Sequence, residues 1–112
     1  MLFGTNIVLN DIEFMANRIT INVNDIVLGT SLNADGYKLY LAISGAFENG
    51  KDVLLSFKDC QPLSSSFLNS SIGELSENFG FETIKARIKV TEITKSNLNQ
   101  LKKYMADIKD LV

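Results

Sequence analysis

The sequence predicts an α/β domain in which a small parallel or mixed sheet is packed by about three helices, in the order β-β-(β)-α-β-α-β-α. Three observations carry this prediction. Short β-like pieces alternating with Asn and Asp occupy residues 1–30; beyond residue 35 apolar residues recur at helical spacing in separate stretches; and runs with strand patterning lie between those stretches. Strands that alternate with helices favour a parallel or mixed sheet, because each crossover helix returns the next strand beside the last. A chain of 112 residues is read as one domain, residues 1–112, burying roughly two-thirds of the surface its unfolded form exposes.

Taken in order, Ile7 to Leu9, then Ile19, Ile21 and Val23 at period two, then Ile26 to Leu28 read as two or three short strands with a hairpin among them. Asp35 and Gly36 precede Leu39, Ala42, Ile43, Ala46 and Phe47, whose spacing marks a helix that Asn49 and Gly50 end. Val53, Leu54, Leu55 and Phe57 form a nearly continuous apolar run, the pattern of a central strand covered on both faces. Pro62 shapes the following loop and keeps Gln61 extended. A second helix starts at Ser64 and places Phe67, Leu68, Ile72, Leu75 and Phe79 on one face, with Gly80 as its left-handed stop. Ile84, Ala86, Ile88 and Val90 alternate with Lys85, Arg87 and Lys89, which predicts a strand near a sheet edge with one buried and one basic, solvated face. Thr94 or Ser96 caps a last helix carrying Leu98, Leu101, Met105, Ile108 and Val112.

Composition narrows the chemistry. With 46% apolar and 21% charged residues, and 11 basic side chains against 13 acidic ones, the chain has an ordinary globular balance and a mildly acidic one. That balance gives no support to nucleic-acid binding. No segment approaches the apolar length needed to cross a bilayer, the start shows no secretory signal, and Cys60 is the only cysteine, so a cytoplasmic, reducing setting is expected, with no membrane partner. Histidine is absent, which removes the usual general base and the usual transition-metal ligand. No Ser-His-Asp or Cys-His site can be assembled, a structural zinc site lacks ligands, and no carboxylate spacing suggests Mg²⁺. A Ser-Lys nucleophile would need Lys58 to reach across its loop to the serines. The expectation is a protein without catalytic residues, metal or cofactor.

The stretch from Asp52 to Leu75, DVLLSFKDCQPLSSSFLNSSIGEL, is the most informative part of the chain. An apolar strand (Val53 to Phe57), an Asp (Asp59), a loop, a serine-rich helix start (Ser64 to Phe67), a Phe-Gly pair (Phe79, Gly80) and a Lys/Arg-flanked strand (Lys85 to Val90) follow one another. That succession resembles the STAS-like family described as a domain of unknown function, over about residues 30–112. More distantly, it is similar to anti-sigma-factor antagonists. In those antagonists an Asp-Ser-Ser-Gly at the corresponding helix start holds the serine that a partner kinase phosphorylates. Alignment by the preceding strand and loop brings Ser64, Ser65, Ser66 and Phe67 onto these positions, with Ser in place of the Asp and Phe in place of the Gly.

The resemblance implies a single STAS-like domain that acts as a non-enzymatic regulatory or interaction module. Ser65 becomes the phosphoacceptor candidate, and Asp59, Ser64, Ser65 and Ser66 the partner- or phosphate-binding candidates. The implied partner is a protein, a kinase or ATPase of the histidine-kinase-like superfamily. Elementary chemistry agrees with such a switch, since unpaired N–H groups and the helix dipole favour an anion at a helix start, while a phosphate adds about −1.5 to −2 charge. The plainer alternative is that one serine caps the helix and the others are solvated. Two other functions compete: a sensor holding a nucleotide or another phosphate-bearing small molecule, although no glycine-rich phosphate loop is present, and a self-associating structural protein whose last helix pairs in a homodimer. Cys60 reads as a small loop residue, Tyr37 and Tyr40 as cover for the edge of the first helix.

Overall fold

The computed structural model describes residues 17–109, so the expected strand at Ile7 to Leu9 and the last helical position, Val112, lie outside the described residues. Three strands form one parallel sheet: β1 (Arg18–Asn22), β2 (Asp52–Ser56) and β3 (Ile88–Thr91), in the order β1-β2-β3. The register pairs Ile19 with Val53 and Ile21 with Leu55, then Val53 with Ile88 and Leu55 with Val90. The apolar run at Val53 to Phe57 therefore supplies the middle strand, and Val53, Leu55 and Phe57 are buried as its continuous hydrophobicity requires.

Among the described residues five helices accompany this sheet, two more than the apolar patterning suggests. The first, α1 (Val23–Ile26), is a single turn at the end of β1. Here the structure corrects the expected strand over Ile26 to Leu28, and with it a hairpin between that strand and β1; a hairpin with Ile7 to Leu9 lies outside the described residues. The Asn22 side chain accepts a hydrogen bond from the Asn24 N–H at 3.2 Å and the Val27 N–H closes the turn on the Val23 carbonyl at 3.0 Å, so the backbone coils where β-branched residues suggested extension. Among the described residues β1 then returns to the sheet through a helix, and its pairing with β2 is parallel.

The long helix α2 (Asn33–Glu48) buries Leu39, Ile43, Ala46 and Phe47, the stripe expected of it, and ends at Asn49 with Gly50 at φ +73°. After β2 the chain enters α3 (residues 65–79), which begins as an α-helix over Ser65–Leu68, widens to a π-turn over Asn69–Gly73 and resumes as an α-helix over Glu74–Phe79. The widening sits where α2 crosses. A Cβ on Gly36 would collide with the Ser70 Oγ and the Phe67 carbonyl, so glycine is what allows the two backbones to approach this closely. Ser71 also donates to the Phe67 carbonyl at 2.7 Å and thereby competes with the regular helical ladder.

Gly80 turns the chain at φ +92°, and α4 (Phe81–Arg87) follows at once. This replaces most of the strand expected over Ile84 to Val90, of which only β3 remains extended. The spacing that prevails is three, not two: Phe81 and Ile84 are both buried, whereas Ala86 is exposed. The expected basic row is dissolved accordingly. Arg87 is drawn inward, with Nε 2.9 Å from Asp52 Oδ1, Nη2 donating to the Lys51 carbonyl at 2.8 Å, and its guanidinium 4.4 Å from the centre of the Phe47 ring. The last helix, α5 (Lys95–Lys109), is capped by Thr94, whose Oγ1 accepts from the Asn97 N–H at 3.1 Å. Leu101 joins the core, and Met105 and Ile108 pack against it.

Candidate functional site

The start of α3 is set by the loop after β2 and by the segment that precedes α2. Ser64 is the N-cap: its Oγ accepts from the Phe67 N–H at 3.0 Å while donating to the Ser31 carbonyl at 2.8 Å, and its own N–H donates to the Thr30 carbonyl at 3.0 Å. Six residues on, Ser70 Oγ donates to the Asn33 carbonyl at 2.8 Å. The starts of α2 and α3 are thus joined side by side. Thr30, itself buried, donates toward the Gln61 and Pro62 carbonyls at 3.0 and 2.9 Å, and Asn97 Nδ2 reaches the Gln61 carbonyl at 3.2 Å. Backbone carbonyls that would otherwise be unmatched in this loop are satisfied from three directions.

Within that frame the expected site residues separate. Ser64 is consumed by capping. Ser65 and Ser66 are the first residues of the helix proper and both are exposed, leaving their hydroxyls at the surface. No acidic side chain lies in this first turn, so the positive end of the helix dipole has no carboxylate of its own there. Phe67 is completely buried and ties the first turn to the core.

Asp59 is exposed and belongs to a different group. It occupies the left-handed region at φ +59° in the turn after β2, and Glu92 does the same at φ +55° after β3. The two line one shallow depression together with Lys58, Ile93 and Thr94. The neighbouring Cys60 is half-buried, and its thiol is pushed above the usual range, first by desolvation and second by the Asp59 carboxylate. A raised thiol is a poor nucleophile near neutral pH. Among the described residues no cluster of Cys, Asp and Glu side chains could hold a metal ion, and no helix is long and apolar enough to cross a membrane.

Sequence patterning did not single out the apolar side chains beside the serines. Leu28 is 97% exposed and Leu32, the residue after Ser31, is 61% exposed, and Tyr37 and Leu41 continue the exposed apolar surface along α2. The Tyr37 and Tyr40 rings stack at 5.6 Å, and Tyr40 accepts from Asn78 Nδ2 at 3.1 Å, so Tyr40 covers the helix edge as expected while Tyr37 remains open. A loop leucine has no period to reveal it. Only its place next to the joined helix starts gives it meaning.

The family model for the STAS-like domain of unknown function (DUF4325) matches residues 35–98, more than half of the chain. The chain belongs to this family. The matched span of the STAS-like domain contains nearly all of α2, β2, α3, α4, β3 and the first turn of α5, and with them Asp59 and Ser64 to Ser66. No curated protein and no solved structure matches the chain.

Proposed function

We propose that this STAS-like domain is a non-enzymatic regulatory module that docks a partner protein at the paired starts of α2 and α3. The observation that carries the reading is the surface itself. Two exposed hydroxyls, Ser65 and Ser66, follow Ser64, which is bonded to Thr30 and Ser31, and the exposed Leu28 and Leu32 flank that segment in the chain; their exposure is costly in water and is relieved when a partner covers them. The surface is also pre-ordered, because Ser64, Ser70 and Thr30 already hold the two helix starts together, so a partner need not meet the ordering cost on binding.

Phosphorylation of Ser65 is the second part of the proposal. A phosphate at the first turn would be favoured by the free N–H groups and the dipole of α3 and would leave the cap at Ser64 intact. It would place about −1.5 to −2 charge against the apolar Leu28 and Leu32 surface and weaken docking by repulsion and desolvation. Likeness to anti-sigma-factor antagonists makes a kinase or ATPase of the histidine-kinase-like superfamily the partner to test, in the cytoplasm.

The test is a paired affinity capture using the wild-type chain and a Leu28→Ser/Leu32→Ser variant. Mass spectrometry reads both the retained proteins and phosphate on residues 64–66. Retention of such an ATPase by the wild type and its loss from the variant support docking; equal retention by both removes it. Incubation of that complex with ATP should modify Ser65, and a complex that forms and never acquires phosphate removes the second part. A saturable thermal shift with nucleotide alone would favour the small-molecule sensor instead.

A further inference from the structure

Away from the serines, α4 and α5 enclose an open groove of about 330 Å³. Its floor is apolar: Phe81 from α4, and Leu101, Met105 and Ala106 from α5. Its rim is cationic, with Lys85 on the α4 side and Lys102 and Lys109 on the α5 side, and no carboxylate among the lining residues. Lys85 is held over the floor, its Nζ 5.8 Å from the centre of the Phe81 ring. Among the described residues no carboxylate forms an ion pair with Lys85, Lys102 or Lys109. A smaller recess of about 160 Å³ shares Lys85, Leu101 and Met105 with the groove and reaches the buried Ile84 and the half-buried Ile88.

We propose that this groove receives an acidic amphipathic helix from a partner protein. Charge complementarity and shape select that occupant. Lys102 and Lys109 are seven residues apart, two turns or about 10 Å along α5, a spacing that carboxylates on the flank of a second helix can match. An apolar floor with a deeper recess suits the i, i+3, i+4 anchors of such a helix, one of which would fill the recess. The groove is open along its length, so a fatty acyl chain would remain half in water, whereas an amphipathic helix needs only one face covered. A second copy of this chain is disfavoured because a two-fold axis would set one lysine rim against another.

The test uses the full chain and a fluorescein-labelled 18-residue probe peptide with Leu at i, i+3, i+4 and i+7 spacing and Glu on both flanks. Its twin carries Lys in place of every Glu. Fluorescence anisotropy should show saturable binding of the Glu peptide and at least tenfold weaker binding of the Lys twin, with affinity falling as salt is raised. Lys102→Glu/Lys109→Glu should weaken the Glu peptide at least tenfold. If circular dichroism shows that variant unfolded, Lys102→Gln/Lys109→Gln replaces it and should weaken binding severalfold. Ser65→Asp should bind the probe as the wild type does, which keeps this result separate from docking at the serines. The proposal is overturned by absent or equal binding of the two peptides, by a folded rim variant that binds like the wild type, by displacement of the peptide with sodium dodecanoate, or by a concentration-dependent dimer that excludes it.

Discussion

The start of α3 and the groove between α4 and α5 are two surfaces of one small domain, built on opposite principles. At the α3 start, side-chain hydroxyls and an amide satisfy backbone carbonyls, leaving two neutral hydroxyls and a pair of leucines outermost. At the groove, apolar side chains form the floor and three lysines form the edges. The serines of the first lie within the span matched by the STAS-like family while its Leu28 to Asn33 side precedes residue 35, and five of the seven groove residues follow the end of the span at residue 98. A hydrogen-bonded surface is rigid before a partner arrives and can be switched by adding charge; a lysine-edged groove already carries its charge and selects by sign. The difference teaches that one domain of this size has room for two surfaces of unlike chemistry that share no residue.

Substitutions can break or sharpen that contrast. The largest effect is expected for Gly36→Val, which pushes α2 off the Phe67 carbonyl and Ser70 and should cost about 3 kcal/mol in urea unfolding. Gly45→Ala on the same helix meets nothing within 4 Å and should stabilise by about 0.5 to 1 kcal/mol. Equal losses at both sites would show that close helix contact is not what holds the serines in place. Next comes Arg87→Met, at the end of α4, which abandons Asp52, two backbone carbonyls and the Phe47 ring and should cost about 2 kcal/mol. Smaller again is Ser64→Ala, about 1 kcal/mol for a lost cap, against changes within about 0.5 kcal/mol for Ser65→Ala and Ser66→Ala. A Ser65→Ala loss as large as that at Ser64 would make Ser65 a structural residue.

The smallest effect concerns pH. The Cys60 thiol holds its proton more tightly in the folded chain than in the unfolded one, chiefly through burial and secondarily through Asp59. Above the ordinary thiol range, near pH 8.5, the unfolded chain therefore ionises first, and this contribution to stability, complete at lower pH, is lost as pH rises through the folded value. Alkylation by iodoacetamide should run slower than for a free thiol at pH 8 and quicken in Asp59→Asn. A midpoint at or below the free-thiol value would contradict the described environment.

How far the sequence could be read depended on how many residues voted for each element. The nine-residue span from Leu39 to Phe47 and the run at Val53 to Phe57 each contain several apolar positions in phase, and α2 and β2 appear where those positions place them. At residues 84–90 the alternation pointed to a strand, and tertiary contacts overrode it through residue 87: Arg87 found Asp52, and Ile88 found its register opposite Val53. α1 depends on one Asn side chain closing one turn, a local event that β-branched neighbours obscure. The capping serine was legible because its chemistry is local. The exposure of Leu28 and Leu32, the π-turn and the groove were not, since each arises from elements distant in sequence meeting in space.

Gly36 has a consequence for how chains of this kind can diverge. The position that locks the two helix starts together carries no side chain and touches no partner, while Ser65 and Ser66 carry hydroxyls and support nothing in the core. The position that holds the scaffold and the exposed hydroxyls it presents are therefore written at separate addresses. A relative that retains glycine at the crossing is free to rewrite residues 65 and 66 without redrafting the fold that presents them.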